Sequence, residues 1–243
     1  MYQTTSLYLT PRLKVADAVL NSPRLLLLLE YFGIYVPLEE KTIQEICDDN
    51  QLNIEVFLTF ADLYNGATYT TPIQFPFAEV IPIVRFLKSS HRYYTQEKYP
   101  DIKLIIGEMY HNDQKKEMSL VEKFCNEYFR ELTQHLEYED RVAFPYMISL
   151  YDHVKEKRKF EAPVTYSVKE YKEHHDDIEE KLNDLKNLLI KYLPQQNDQR
   201  KRRRLFFNLY ELESDLNIHS KIEDMILIPL VERMEQYLKS DSE

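Results

Sequence analysis

The sequence predicts an all-α protein, a four-helix bundle preceded by a small helical N-terminal domain. Only 3 of its 243 residues are glycine and 30% are charged, a composition that favours helices over sheets with tight turns. Four long segments also repeat apolar residues at intervals of three or four positions, which is the period of an amphipathic helix. Aromatic residues make up 13% of the chain, so a large core is available without tryptophan.

The first 66 residues are predicted to form the small domain, with Gly33 at a helix end, where glycine commonly terminates a helix. The segment 65–76 contains one glycine, two prolines and several threonines and is predicted to be a linker. The short helices are predicted at 12–20, 23–32, 40–49 and 53–64.

Residues 75–240 are predicted to form the bundle. Pro100 lies inside its first helix, where a kink is one alternative, and Asp198 is a predicted N-cap of its last helix. Short connections favour antiparallel neighbours, and bundles of this kind build metal sites from inward-facing residues. The long helices are predicted at 77–111, 115–152, 164–192 and 198–238.

An eleven-residue phrase of the form H-x3-E-D-x4-P occurs twice, beginning at His135 and at His219. In each copy the histidine and the glutamate lie four residues apart, on the same face of a helix. Imidazole and carboxylate are both metal ligands, and a carboxylate can bridge two cations. Two copies therefore predict two halves of one dinuclear site rather than two separate sites.

Two further histidines share the repeat, since His91 precedes His135 by 44 residues and His175 precedes His219 by the same number. Each candidate replaces a hydrophobic residue on an apolar stripe, and a buried carboxylate is costly unless it is paired or binds a metal. Structural His–Glu pairs are the alternative. The predicted metal ligands are His91, His135, Glu139, His175, His219 and Glu223, with His111 and His174 as second-tier candidates.

These positions, with Pro145 and Pro229 closing the two phrases, resemble the hemerythrin-like di-iron proteins, and more narrowly the repair-of-iron-centres (RIC) family. The narrower resemblance rests on the N-terminal segment. That family usually has a cysteine pair just after the Phe-Gly-Ile stretch, whereas residues 35–40 contain no cysteine. Cys47 is therefore predicted to be a buried core residue. The matching N-terminal positions are Pro23, Phe32, Gly33, Ile34, Thr42, Ile43, Glu45 and Cys47.

The resemblance implies a hemerythrin-like four-helix bundle with two non-haem iron ions, bridged by carboxylates and by oxygen. It further implies a protein of nitrosative and oxidative stress defence that repairs damaged iron–sulfur clusters, with iron delivery as the suggested means. Its partners would be the damaged iron–sulfur proteins. A sensor or carrier that binds O2 or NO is the alternative, and an enzyme that reduces NO or peroxide is a third, so enzymatic activity stays open.

Composition limits the other partners. The net charge of −10 argues against nucleic acid, and the basic run at 200–204 is interpreted as a solvated helix face. The N-terminus has no signal-peptide pattern, and the apolar run at 25–29 is too short to span a bilayer. With two distant cysteines, the sequence predicts a cytoplasmic protein without a membrane partner. The oligomeric state stays open, with a homodimer among the alternatives.

Overall fold

The structure, a computed structural model, describes residues 8–109, 115–156, 167–174, 178–192 and 199–240. In these ranges every regular element is a helix, apart from one isolated antiparallel bridge between Lys14 and Thr42. The predicted all-α class is confirmed. No helix in the described ranges is both long enough and apolar enough to cross a membrane.

Four short helices come first in the described residues, close to their predicted positions. Thr42 and Glu45 form a capping box at the start of the third, because each side chain accepts a hydrogen bond from the other residue's backbone N–H. Gly33 follows the second with a φ of 77°, and its N–H bonds the Glu30 carbonyl at 2.9 Å, as in a Schellman motif. The helices are α1 (Val15–Asn21), α2 (Leu25–Tyr31), α3 (Ile43–Asp49) and α4 (Ile54–Tyr64).

From residue 77 onward the described chain is mainly helical, and three of its helical segments contain a five-residue π-helical turn. The predicted N-cap Asp198 and the beginning of the predicted third helix, 164–166, lie outside the described residues. A short 3-10 turn (Phe77–Glu79) precedes the first of these helical segments. The elements are α5 (Val80–Tyr93), π1 (Tyr94–Lys98), α6 (Tyr99–Glu108), α7 (Lys115–Tyr138), π2 (Glu139–Ala143), α8 (Phe144–Glu156), α9 (Val168–His174), α10 (Ile178–Tyr192), α11 (Gln199–Ile222), π3 (Glu223–Leu227) and α12 (Ile228–Ser240).

Each π turn ends two residues before a proline, namely Pro100, Pro145 or Pro229. Proline has no N–H to donate, and in an α-helix its ring strikes the carbonyl four residues earlier. A wider turn moves that carbonyl aside, so the helix continues past the proline. In π2, for example, the Phe144 N–H bonds the Glu139 carbonyl, five residues back. At Pro100, where a kink is one alternative, the structure has a π turn just before the proline, and the kink itself stays a prediction.

The described residues divide into two compact units. The predicted division into domains 1–66 and 75–240 follows different boundaries and stays a prediction. The first unit contains residues 8–89, 147–156 and 221–240, and the second contains residues 90–109, 115–146, 167–174, 178–192 and 199–220.

The first unit has an aromatic core. Phe86 lies with its ring centroid 4.7 Å from that of Phe32 and 4.9 Å from that of Phe60. Residues 65–76 form no helix, as predicted, but they are more than a connection. Phe75 is buried, and its carbonyl accepts a hydrogen bond of 3.0 Å from Arg233. The predicted linker therefore packs as part of this unit.

The second unit has a core of aliphatic and aromatic side chains from π1, α6, α7, α10 and α11. Two lysines are nearly buried beside it, and each is neutralised. Lys98 pairs with Glu211, and Lys186 pairs with Glu213 at 2.5 Å while its ammonium lies 4.4 Å from the centre of the Tyr210 ring. Pairing is the condition under which buried charges are tolerated.

Candidate metal centre

Three of the predicted ligands meet in the second unit. One ligand atom from each of His91, Glu139 and His219 lies within 4.8 Å of the other two, and all three residues are buried. The Nε2 atom of His91 is 3.4 Å from Nε2 of His219 and 3.4 Å from Oε2 of Glu139. These residues come from α5, π2 and α11, so three separate helical segments supply the cluster.

Both histidines are oriented through their other ring nitrogen. His91 Nδ1 lies 3.2 Å from Oδ1 of Asp140, and an ionised carboxylate only accepts hydrogen bonds, so this nitrogen is the donor. His219 Nδ1 lies 2.9 Å from the hydroxyl of the buried Ser90. When Nδ1 carries the proton of a neutral imidazole, the Nε2 lone pair faces the cluster, as metal ligation requires.

Glu139 presents its two oxygens to different histidines. Oε2 faces His91, whereas Oε1 lies 3.1 Å from Nε2 of His135, one helical turn earlier. Oε1 also accepts a hydrogen bond of 2.8 Å from the hydroxyl of Tyr171, which is buried in α9. The carboxylate thus lies between the His91–His219 pair on one side and His135 on the other.

Glu139 remains ionised in this setting. Burial raises the pKa of its carboxyl group, because a charged form is poorly solvated there. The hydrogen bond from His135 and the charges that His135, His91 and His219 carry when protonated act in the opposite direction, and the net result is a pKa below the ordinary value. A buried anion between imidazoles is a suitable ligand for a cation.

The remaining predicted ligands are placed as follows. Glu223 is fully buried and begins π3, four residues after His219. His111, His175 and the side chain of His174 lie outside the described residues. The complete predicted ligand set therefore stays a prediction, of which the structure brings His91, Glu139 and His219 together, with His135 against Glu139.

The donor set fits a metal ion. Two imidazole nitrogens and one carboxylate form the ligand class that binds non-haem iron with open positions. The alternative of purely structural His–Glu pairs accounts for His135 and Glu139, at 3.1 Å. It also accommodates the Nε2 atoms of His91 and His219, 3.4 Å apart, if the Ser90 hydroxyl donates to His219 Nδ1 and one ring donates to the other. What favours a cation is that three buried ligand atoms, from His91, Glu139 and His219, converge within 4.8 Å of one another.

Sequence reasoning missed two kinds of feature. Asp140 belongs to the repeated Glu-Asp step, so a rule that a ligating histidine needs a carboxylate partner could have found it. Ser90 has no comparable signal, because it bonds a histidine 129 residues away. The π turns had a signal in the three prolines, and turns of this kind often mark functional sites. Indeed, π2 and π3 begin at the predicted ligands Glu139 and Glu223.

Fold and site together define a helical metal-binding protein. The family model of the hemerythrin HHE cation-binding domain matches residues 84–231. The match covers more than half of the chain, which therefore belongs to this family. The long helices of residues 77–240 form a hemerythrin-like bundle, with short helices before it. No curated protein matches the chain.

Proposed function

We propose that this protein holds two non-haem iron ions in its bundle and uses them in the repair of iron–sulfur clusters damaged by nitric oxide or oxidants. The observation that supports a pair of ions is the placement of Glu139, whose two oxygens face different histidines at 3.4 and 3.1 Å. A carboxylate that offers one oxygen to each side is suited to bridge two cations.

The described residues suggest how the ions would be held. His91, His219 and Glu139 would hold one ion, and Glu139 with His135 would hold the other. His175 and Glu223 stay further predicted ligands. Bound iron would supply reversible electron transfer and open positions for a small ligand such as NO or O2. Asp140 and Ser90 would keep the two Nε2 lone pairs directed at the first ion.

Repair by iron delivery is supported by the resemblance of residues 23–47 to the N-terminal domain of the RIC family. It is also consistent with the accessibility of the site. The His135 side chain keeps 10% of its surface exposed, against 2% for His91 and none for Glu139. The half that contains His135 would thus be the half from which iron reaches a cluster protein, the proposed partner.

A sensor or carrier of O2 or NO is the second candidate, and one observation favours it. Cys47 is fully buried in α3, which confirms the prediction of a core residue, and burial raises the pKa of its thiol to about 12. The chain has only two cysteines, and the other, Cys125, is buried as well. Thiol chemistry at the N-terminal helices is therefore not available to support repair.

Anaerobic loading with ferrous iron tests the proposal. We expect about two irons per wild-type chain, an oxo-bridged ferric spectrum after oxidation, and loss of that spectrum in His219→Ala. The loaded protein is then mixed with sulfide, a thiol reductant and a ferredoxin from which the cluster has been removed. Transfer of iron that restores the ferredoxin spectrum supports repair. Retention of iron, with a reversible spectral change on addition of NO or O2, supports the sensor instead.

A chain that stays folded but takes up no iron would overturn the proposal, because the His–Glu contacts would then be structural only. Rapid turnover of NO or peroxide by the loaded protein would favour the third alternative, a reducing enzyme. Zinc and manganese loading serve as comparisons, since the same donor types bind both metals.

A further inference from the structure

We propose that Tyr171 determines how many metal ions the centre holds, by keeping the Glu139 carboxylate extended across two metal positions. Without the Tyr171 hydroxyl, the centre would keep a single ion on the side of His91 and His219. The inference rests on the proposed two-ion centre and adds to it a residue that the ligand pattern does not contain. Tyr171 acts here as a positioning residue, through Glu139.

The contacts of Tyr171 support the inference. Its side chain is only 1% exposed, and its hydroxyl donates a hydrogen bond of 2.8 Å to Oε1 of Glu139. The same oxygen faces His135 Nε2 at 3.1 Å. A phenol fixed by its surroundings therefore holds Oε1 on the His135 side, while Oε2 stays 3.4 Å from His91.

Such a restraint is needed because a glutamate side chain can reorient about its rotatable bonds, and its last torsion has only a broad preference. If rotation about these bonds brought both oxygens toward His91 and His219, both would bind the same ion. The product would be a mononuclear site with two histidines and one carboxylate, a stable arrangement for iron. A hydrogen bond to an ionised oxygen is roughly twice as strong as one between neutral groups, so the Tyr171 hydroxyl opposes that rotation.

An ionised carboxylate oxygen can accept a hydrogen bond and still bind a metal, because the two oxygens offer about four lone-pair sites. Tyr171 uses one site on Oε1 and leaves another for an ion beside His135. The hydroxyl therefore orients the bridge without occupying the second metal position.

The chain provides a matched control in Tyr94. Its hydroxyl donates a hydrogen bond of 2.7 Å to the carboxylate of Asp215, and both residues are buried in the second unit. Tyr94→Phe and Tyr171→Phe therefore remove the same group from the same kind of bond, but only the Tyr171 hydroxyl bonds a candidate ligand. The Tyr94 ring lies edge-on to the His219 ring, with centroids 5.9 Å apart, and phenylalanine keeps that ring. General loosening of the fold would affect the two variants alike.

The experiment compares iron binding by wild type, Tyr171→Phe and Tyr94→Phe. Iron per chain is measured after anaerobic loading, and the oxidised proteins are examined by Mössbauer and electron paramagnetic resonance spectroscopy. We expect two coupled, resonance-silent ferric ions in wild type and in Tyr94→Phe. At iron concentrations that just saturate wild type, we expect one isolated high-spin ferric ion in Tyr171→Phe, because affinity for the second ion should fall about 10–100-fold, the usual effect of losing a partner of a metal ligand.

Circular dichroism and thermal melting establish whether each variant folds. If Tyr171→Phe does not fold, 4-fluorophenylalanine at position 171 replaces it, since fluorine fills the space of the hydroxyl without donating a hydrogen bond. A cobalt(II) titration counts the ions without redox chemistry.

Two coupled ions with unchanged affinity in the position-171 variants would overturn the inference, and so would an equal loss in Tyr94→Phe. Both results would leave the proposed function intact. A wild-type chain with fewer than two ions would instead overturn the proposed two-ion centre, so the two failures are distinguishable.

Discussion

The metal centre and the apolar core of the second unit follow the same helical period but differ in what their helices bury. In the core, Tyr99 stacks on Phe129 with ring centroids 4.2 Å apart, and burial of such rings stabilises the fold. At the centre the buried groups are imidazoles and a carboxylate, whose burial costs free energy unless they are paired. The comparison shows that the core stabilises an arrangement of polar groups that would not assemble by itself.

The strongest test of this comparison is Glu139→Gln at the centre. A neutral amide cannot supply the anionic bridge, so we expect loss of both ions. Because the substitution removes a buried charge, we expect the metal-free protein to remain folded. Metal analysis after loading and urea unfolding of the metal-free form measure the two effects. A variant that keeps two ions would show that Glu139 is not shared between them.

Phe129→Ala is the corresponding change in the core. Phe129 is 1% exposed, and truncation of a buried phenylalanine to alanine costs about 3–5 kcal/mol of unfolding free energy. We expect this loss in urea unfolding, with the iron content of the folded fraction unchanged. A changed iron content in the folded Phe129→Ala protein would mean that core packing also affects the geometry of the metal centre.

Asp140→Asn is expected to have a smaller effect, confined to metal binding. The variant removes the negative acceptor of the His91 Nδ1 hydrogen bond, so affinity for iron should fall about 10–100-fold. Ser90→Ala at the other histidine should lower affinity less, because hydrogen bonds to an ionised group are the stronger ones. Competition with a ferrous chelator measures both. The reverse order would show that the Ser90 hydroxyl contributes more than the carboxylate.

The smallest expected effect is a pH dependence of stability that comes from Cys125 in the core. Burial raises the pKa of its thiol from 9.0 to about 12, so between these values the unfolded chain has released a proton that the folded chain retains. Stability should be unaffected by this group below about pH 9 and should fall as the pH rises from there toward 12. Alkylation with iodoacetamide at pH 9 should be slow in buffer and fast in urea. Fast alkylation in buffer would indicate a thiol exposed by local opening.

The sequence by itself determined the helices and the candidate ligands. Both depend on local spacing: an apolar period of three to four residues makes a helix amphipathic, and a His–Glu step of four places both side chains on one face. The repeat at His135 and His219 therefore pointed to a metal site before any contact was known. The prolines after π1, π2 and π3 carry a similarly local signal, which the helical period alone does not reveal.

Only the tertiary structure decided which groups meet. The contact of Ser90 with His219 joins residues 129 positions apart, and that of Tyr171 with Glu139 joins residues 32 apart. The helical period indicates on which face of its helix a residue lies. It does not determine how far two packed helices are rotated about their axes or shifted along them. Those two variables place Asp140 against His91 and turn the oxygens of Glu139 toward different histidines. They depend on the packing of the whole core, so no local pattern encodes them.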